Sequence, residues 1–163
     1  MDTTALIGSI GKSIADPSVV KLFAELAIKP PGRSSQDVSL YLDVKALGFA
    51  IEVEEGDFAE EGHAIKVHGA RFIVAGIQFA SGEYGSGYKE FSAHLPEGLV
   101  WGESFDQARA KLGPESDQDL DGRRQTVYWR KRAGYDLVGH FSKQNGRLEL
   151  VFFGLANMLF EPD

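Results

Sequence analysis

The stretch Val38-Ser39-Leu40-Tyr41-Leu42-Asp43-Val44, resumed after Leu47-Gly48 by Phe49-Ala50-Ile51-Glu52-Val53-Glu54, decides the fold class. Val38, Leu40, Leu42 and Val44 alternate with polar residues, and so do Phe49, Ile51 and Val53. A period of two places one set of side chains on one face of a strand, so the two runs read as an antiparallel hairpin with one buried face. Upstream the period is helical. Leu6, Ile7, Ile10 and Ile14 predict a helix over Thr4 to Ile14, weakened by Gly8 and Gly11. Asp16 and Pro17 predict a capped helix start ahead of Val20, Phe23, Ala24 and Ala27, stopped by Pro30-Pro31-Gly32.

Downstream, a polar stretch from Glu55 to Glu61 reads as a loop. Ala64 to Val67 and Phe72 to Phe79 read as two further strands, and Tyr88 to His94 follows the glycine-rich turn Ser81 to Gly87. Ser104 and Gln107 have the spacing of a capping box, and Gly113-Pro114 closes the helix they open. After the acidic loop Glu115 to Gly122, strands are expected at Gln125 to Lys131, Tyr135 to Phe141 and Leu148 to Leu155. The last two are joined through Asn145-Gly146, a strong hairpin signal. Alternation places Trp129 and Phe141 in a common core with Phe105 and Leu112. The expected class is α+β, an antiparallel sheet with two or three helices in one domain, 1–163. The order of elements also fits two similar helix-plus-meander halves, 1–94 and 95–163.

Composition limits the chemistry. The 163 residues are 43% apolar and 25% charged, enough to bury a core without disulfide or metal. No apolar run approaches a membrane span, and Met1-Asp2-Thr3-Thr4 stands where a signal peptide would carry basic residues, so a cytoplasmic location is expected. Zero cysteines exclude thiol catalysis and thiolate zinc, and a net charge of −7 argues against a nucleic-acid partner. Arg123, Arg124, Arg130, Lys131 and Arg132 beside Tyr128 and Trp129 resemble a nucleic-acid platform, but the preceding acidic loop can neutralise them.

Asp117, Asp119 and Asp121 with Gly122 match the start of a calcium loop, yet position twelve is Tyr128 where a bidentate Glu is needed. An acidic turn explains them, with calcium the alternative. Gly82, Gly85 and Gly87 precede no helix that could hold a phosphate. His63, His68, His94 and His140 have no metal-ligand spacing, and Ser104 lacks a nucleophile elbow. Neither a metal nor a cofactor is expected, and no catalytic set is assembled. Glu52 and Glu54 share one strand face, as acid–base carboxylates could, but nothing in the sequence desolvates them. With Glu55, Asp57, Glu60 and Glu61 they make six acids without a base. That segment is either a solvated face or the binding site for a basic partner, and it is the candidate site.

Gly11-Lys12-Ser13-Ile14-Ala15-Asp16-Pro17-Ser18-Val19 with Leu26, His94-Leu95-Pro96-Glu97-Gly98-Leu99, Leu112-Gly113-Pro114 and Leu148-Glu149-Leu150-Val151 resemble small immunity proteins encoded beside bacterial polymorphic toxins. The resemblance implies a non-catalytic cytosolic protein that binds and blocks a cognate toxin. It transfers no binding residue. The second half alone is similar to the two-helix, three-strand modules of small envelope assembly lipoproteins, whose lipobox cysteine is absent here. The competing expectations are a small-ligand-binding or enzymatic domain with a pocket between sheet and helices, and a structural adaptor.

Overall fold

A computed structural model describes residues 3–32, 37–120 and 122–156. In it the expected antiparallel hairpin forms from β1 (Ser39–Val44) and β2 (Phe49–Glu55), with Leu40 opposite Val53, Leu42 opposite Ile51 and Val44 opposite Phe49. A turn of 3-10 helix over Lys45–Leu47 joins them and ends on Gly48 at φ 79°. Any side chain there would strike the Lys89 carbonyl, so glycine is required twice over.

Six further elements complete the sheet and its connections. They are α3 (Gly56–His63), β3 (Phe72–Ala80), β4 (Asp117–Asp119), β5 (Arg124–Arg132), β6 (Tyr135–Ser142) and β7 (Leu148–Leu155). The sheet is antiparallel throughout, in the order β1-β2-β3-β7-β6-β5-β4. Two meanders, one from each end of the chain, therefore meet along a β3–β7 seam. With α1 (Thr3–Ile7), α2 (Pro17–Glu25) and α4 (Phe105–Leu112) the described residues form four helices on a seven-stranded sheet, an α+β fold.

Several expectations are corrected. The first helix ends at Ile7, because Gly8 and a φ of 83° at Gly11 break it. Residues 11–14 instead run beside β3, with Gly11 N–H donating to Val74 O and Ile14 N–H to Phe72 O. α2 is capped by Asp16 as expected, but it buries Val19, Leu22 and Phe23 and leaves Val20 exposed, one residue out of phase with the expected stripe. The polar stretch read as a loop is α3, and the strands expected at 64–67 and 88–94 do not form. The acidic loop contains the three-residue edge strand β4.

One face of the sheet carries the core. Phe49, Ile51, Ile77, Phe79, Val151 and Leu137 pack under α1, α2, α4 and the crossover 81–104, which contributes Phe91, Leu95 and Leu99. Trp129 is 1% exposed and sits with Phe105, Leu112 and Phe141, its indole N–H donating to Gly113 O at 3.1 Å. Ser104 and Gln107 close the capping box of α4. Register shifts at Glu52/Val53, Trp129/Arg132 and His140/Phe141 mark bulges, which increase twist and bend the strands. No helix among the described residues is long and apolar enough to cross a membrane.

Candidate functional site

The same alternation that fills the core sends every second side chain to the other face of the sheet. There they line an open bowl of about 630 Å³. The strand registers resolve its lining into rows crossing the sheet. One runs Gln78, Phe152, Val138, Tyr128, Asp117; another runs Leu150, His140, Thr126, Asp119; a third runs Tyr41, Glu52, Gly76, Gly154, Asp136. Gly76 and Gly154 form a groove in the third row, and the Phe152 ring lies over both, so a Cβ on either glycine would run into that ring. The floor is consequently aromatic and aliphatic. At one edge the turn 81–88 folds back, placing Tyr84 and Tyr88 against Ala50 and Ala80, with Tyr88 donating its hydroxyl hydrogen to Asp43.

The bowl's two ends are charged. At the first, Glu52 accepts hydrogen bonds from the Ser39 and Tyr41 hydroxyls. Glu54, two residues on and 7% exposed, is met by His63 from the last turn of α3. His63 Nε2 lies 2.9 Å from Glu54 Oε2 and its Nδ1 lies 3.0 Å from the Ala156 carbonyl. Both ring nitrogens thus face acceptors, an arrangement satisfied by the imidazolium. Burial opposes that charge, but the Glu54 and Ala156 hydrogen bonds and the charges of Glu54 and Glu52 outweigh it, and the His63 pKa is raised. Glu52 is held above the ordinary carboxylate range by burial and by the charge of Glu54.

At the second end, Arg130 meets Asp136 at 3.4 Å and lies 4.5 Å above the Tyr128 ring, while Asp117 and Asp119 project from β4. Between the ends His140 contacts the Thr126 hydroxyl at 3.1 Å, and burial together with the charge of Arg124 lowers its pKa to about 4. It is neutral near pH 7.

The six acids of the sequence-predicted site are not brought together. Glu52 and Glu54 line the bowl, where the fold supplies the desolvation that the sequence did not reveal. Glu55 is exposed at the end of β2, and Asp57, Glu60 and Glu61 are exposed on α3. Glu60 also accepts a hydrogen bond from Val67 N–H. His63 is the base that the count over 52–61 stopped short of. Of the calcium-loop residues, Asp117 and Asp119 stand on an extended strand with Tyr128 opposite Asp117, a geometry unlike a calcium loop, and Asp121 lies outside the described residues. Among the described residues no group of three His, Asp or Glu is placed to hold a metal. Of the basic hairpin residues, Arg124 is paired with Glu149 at 3.3 Å and stacked on Tyr84, and Arg130 belongs to the bowl. Phe152, Val138 and Gln78 were missed; alternation marks them as one face, but which strands adjoin is set by the seam.

No protein-family model matches the chain, and no curated protein matches it. Among solved structures it is similar to a DUF4309 family protein, YjgB, from Bacillus subtilis, at 10% identity and a TM-score of 0.44, over 94% of this chain and 91% of that one.

Proposed function

We propose that the chain is a non-catalytic binding protein that neutralises a cognate, basic bacterial toxin in the cytosol by covering part of it with the bowl face of its sheet. The observation that carries this reading is the bowl itself: a partly open sheet face with an aromatic and aliphatic floor and a surplus of carboxylates in its lining. Phe152, Val138 and Tyr128 stay partly open to water on that face, where a partner's apolar side chains can meet them. The polar groups are tied to one another, His63 to Glu54 and Arg130 to Asp136, which suits a preorganised contact surface better than a proton-transfer centre. The volume alone also suits a small ligand, since such pockets run from roughly 300 to 1,000 Å³. Those pockets enclose most of their ligand, however, whereas this bowl opens to solvent.

The test is capture of the partner from the native host, followed by co-expression of the captured protein with this chain in a sensitive cell. Restored growth, abolished by Val138→Asp in a variant that still melts cooperatively, is the expected result. A captured protein that is not toxic, or whose toxicity the chain leaves untouched, overturns the reading.

A further inference from the structure

The open sheet ends in two edge strands, β1 and β4, and they are guarded unequally. β4 is only Asp117–Asp119, with a carboxylate at either end, a short charged edge of the kind that resists pairing. β1 runs from Ser39 to Val44 without proline, and Asp43 is its one charged residue. Glu55 N–H donates to Val38 O, and the β1–β2 register continues from there without a shift. The alternation of an antiparallel ladder therefore turns the N–H and C=O groups of Leu40, Leu42 and Val44 towards β2 and those of Ser39, Tyr41 and Asp43 outwards. No hydrogen bond from another described residue reaches those outward groups. A groove of about 380 Å³ lies between β1 and residues 26–29, so the neighbouring chain stands off the edge.

We infer that two copies of the chain form a twofold dimer in which β1 pairs antiparallel with β1 of the second copy, in the register that sets Tyr41 opposite Tyr41 at the axis. The strand is self-complementary in that register. Leu40 lies opposite Leu42 and Val38 opposite Val44, while Ser39, small and neutral, lies opposite Asp43. Continued past the strand, the register sets Asp37 opposite Lys45, once on each side of the axis. Asp37 is exposed and has no ion pair among the described residues. Lys45 is half-exposed and lies 3.8 Å from Asp43, where a second carboxylate can share it. Slipping the pair one pleat sets Asp37 against Asp43, and slipping it the other way takes Asp37 off Lys45. The axis stands normal to the sheet, so the two bowls open on the same side and adjoin along Tyr41, which is 52% exposed. The edge makes the contact, so the pairing is independent of what the bowl binds.

The test is sedimentation equilibrium of the full chain at physiological salt, which screens the repulsion between two chains of charge −7. From about 10 µM to about 1 mM the average mass should climb from 17.8 kDa towards twice that value, since a contact of one strand pair is small and associates weakly. Over the same range the amide hydrogens of Ser39, Tyr41 and Asp43 should exchange up to about tenfold more slowly, while those of β4 keep their rates. Asp37→Lys sets two ammonium groups against each other at each pair, and Lys45→Glu sets two carboxylates. Each variant alone should dimerise about tenfold more weakly than the parent. An equimolar mixture of the two variants restores opposite charges at both pairs and should recover the parental affinity. Both positions are exposed, so both variants should melt as cooperatively as the parent. No rise in mass at about 1 mM, an unweakened dimer in either variant, a mixture no tighter than its components, or exchange protection confined to another surface overturns the inference.

Discussion

At the scale of single residues, two half-buried histidines respond to pH in opposite directions. The folded chain raises the His63 pKa above its ordinary value of 6.5, so the pairing with Glu54 contributes full stability below that value and is lost as pH rises through the folded pKa. His140 has its pKa lowered from 6.5 to about 4, so unfolding takes up a proton between those values and stability falls as pH drops through that window. Imidazole resonances should therefore titrate on either side of 6.5. His63→Gln should flatten the loss of stability on the alkaline side and His140→Gln the loss on the acid side; a common midpoint for both rings would refute the assignment. Trp129 tests the covered face. Its truncation to Ala removes a fully buried indole and a hydrogen bond to Gly113, and should cost about 3 to 5 kcal/mol in denaturant unfolding. A loss below about 1 kcal/mol would mean that the tryptophan is not held in the core.

At the scale of elements, the helix caps and the glycine groove make separate claims. Ser104→Ala removes half of the capping box on α4 and should destabilise the chain by about 1 kcal/mol without altering the bowl. Gly76→Ala puts a methyl group into the space of the Phe152 ring, and should cost about 1 to 3 kcal/mol while shifting aromatic resonances on the bowl face. An unchanged melt would show that Phe152 does not rest on the groove. These elements also divide what sequence could disclose from what it could not. Asp16, Ser104 and the alternation in β1, β2, β5, β6 and β7 are local signals, each satisfied within a few residues, and they appear where expected. α3 was illegible because Gly56 and Gly62 argue against a helix; it forms where Ala59 can be buried and where only a glycine fits against Ala70. The bowl was illegible for a longer-range reason. Glu52 faces Asp136 across Gly76 and Gly154 only once strands some 70 residues apart in the chain have been placed side by side, and no local period encodes that.

At the scale of the whole molecule, charge and metal dependence can be separated. Asp117 and Asp119 are strand residues, so melting curves in EDTA and in millimolar calcium should coincide, and a calcium-dependent rise of several degrees would make them ligands. Changing Glu55, Asp57, Glu60 and Glu61 together to Gln strips the exposed acids beside the bowl but leaves its lining intact. With a basic partner that variant should associate more slowly at low salt yet dissociate at the parental rate, whereas Glu52→Gln should act on dissociation. Parental association at every salt concentration would show that α3 takes no part in steering. The β3–β7 seam also fixes an order of assembly. The β1–β2 hairpin and the β5–β6–β7 meander close through short turns and can form early, and β3 joins its hairpin through the α3 connection, but the seam joins Ala80 to Leu150 and must await a large loop closure. During synthesis β3 is complete long before its neighbour exists. Only its first residues are shielded meanwhile, by 11–14, and the apolar edge from Gly76 to Ala80 stays unpaired until β7 arrives. Seam substitutions such as Phe153→Ala should then speed unfolding and hardly slow folding, and nascent chains stalled before β7 should be the aggregation-prone species.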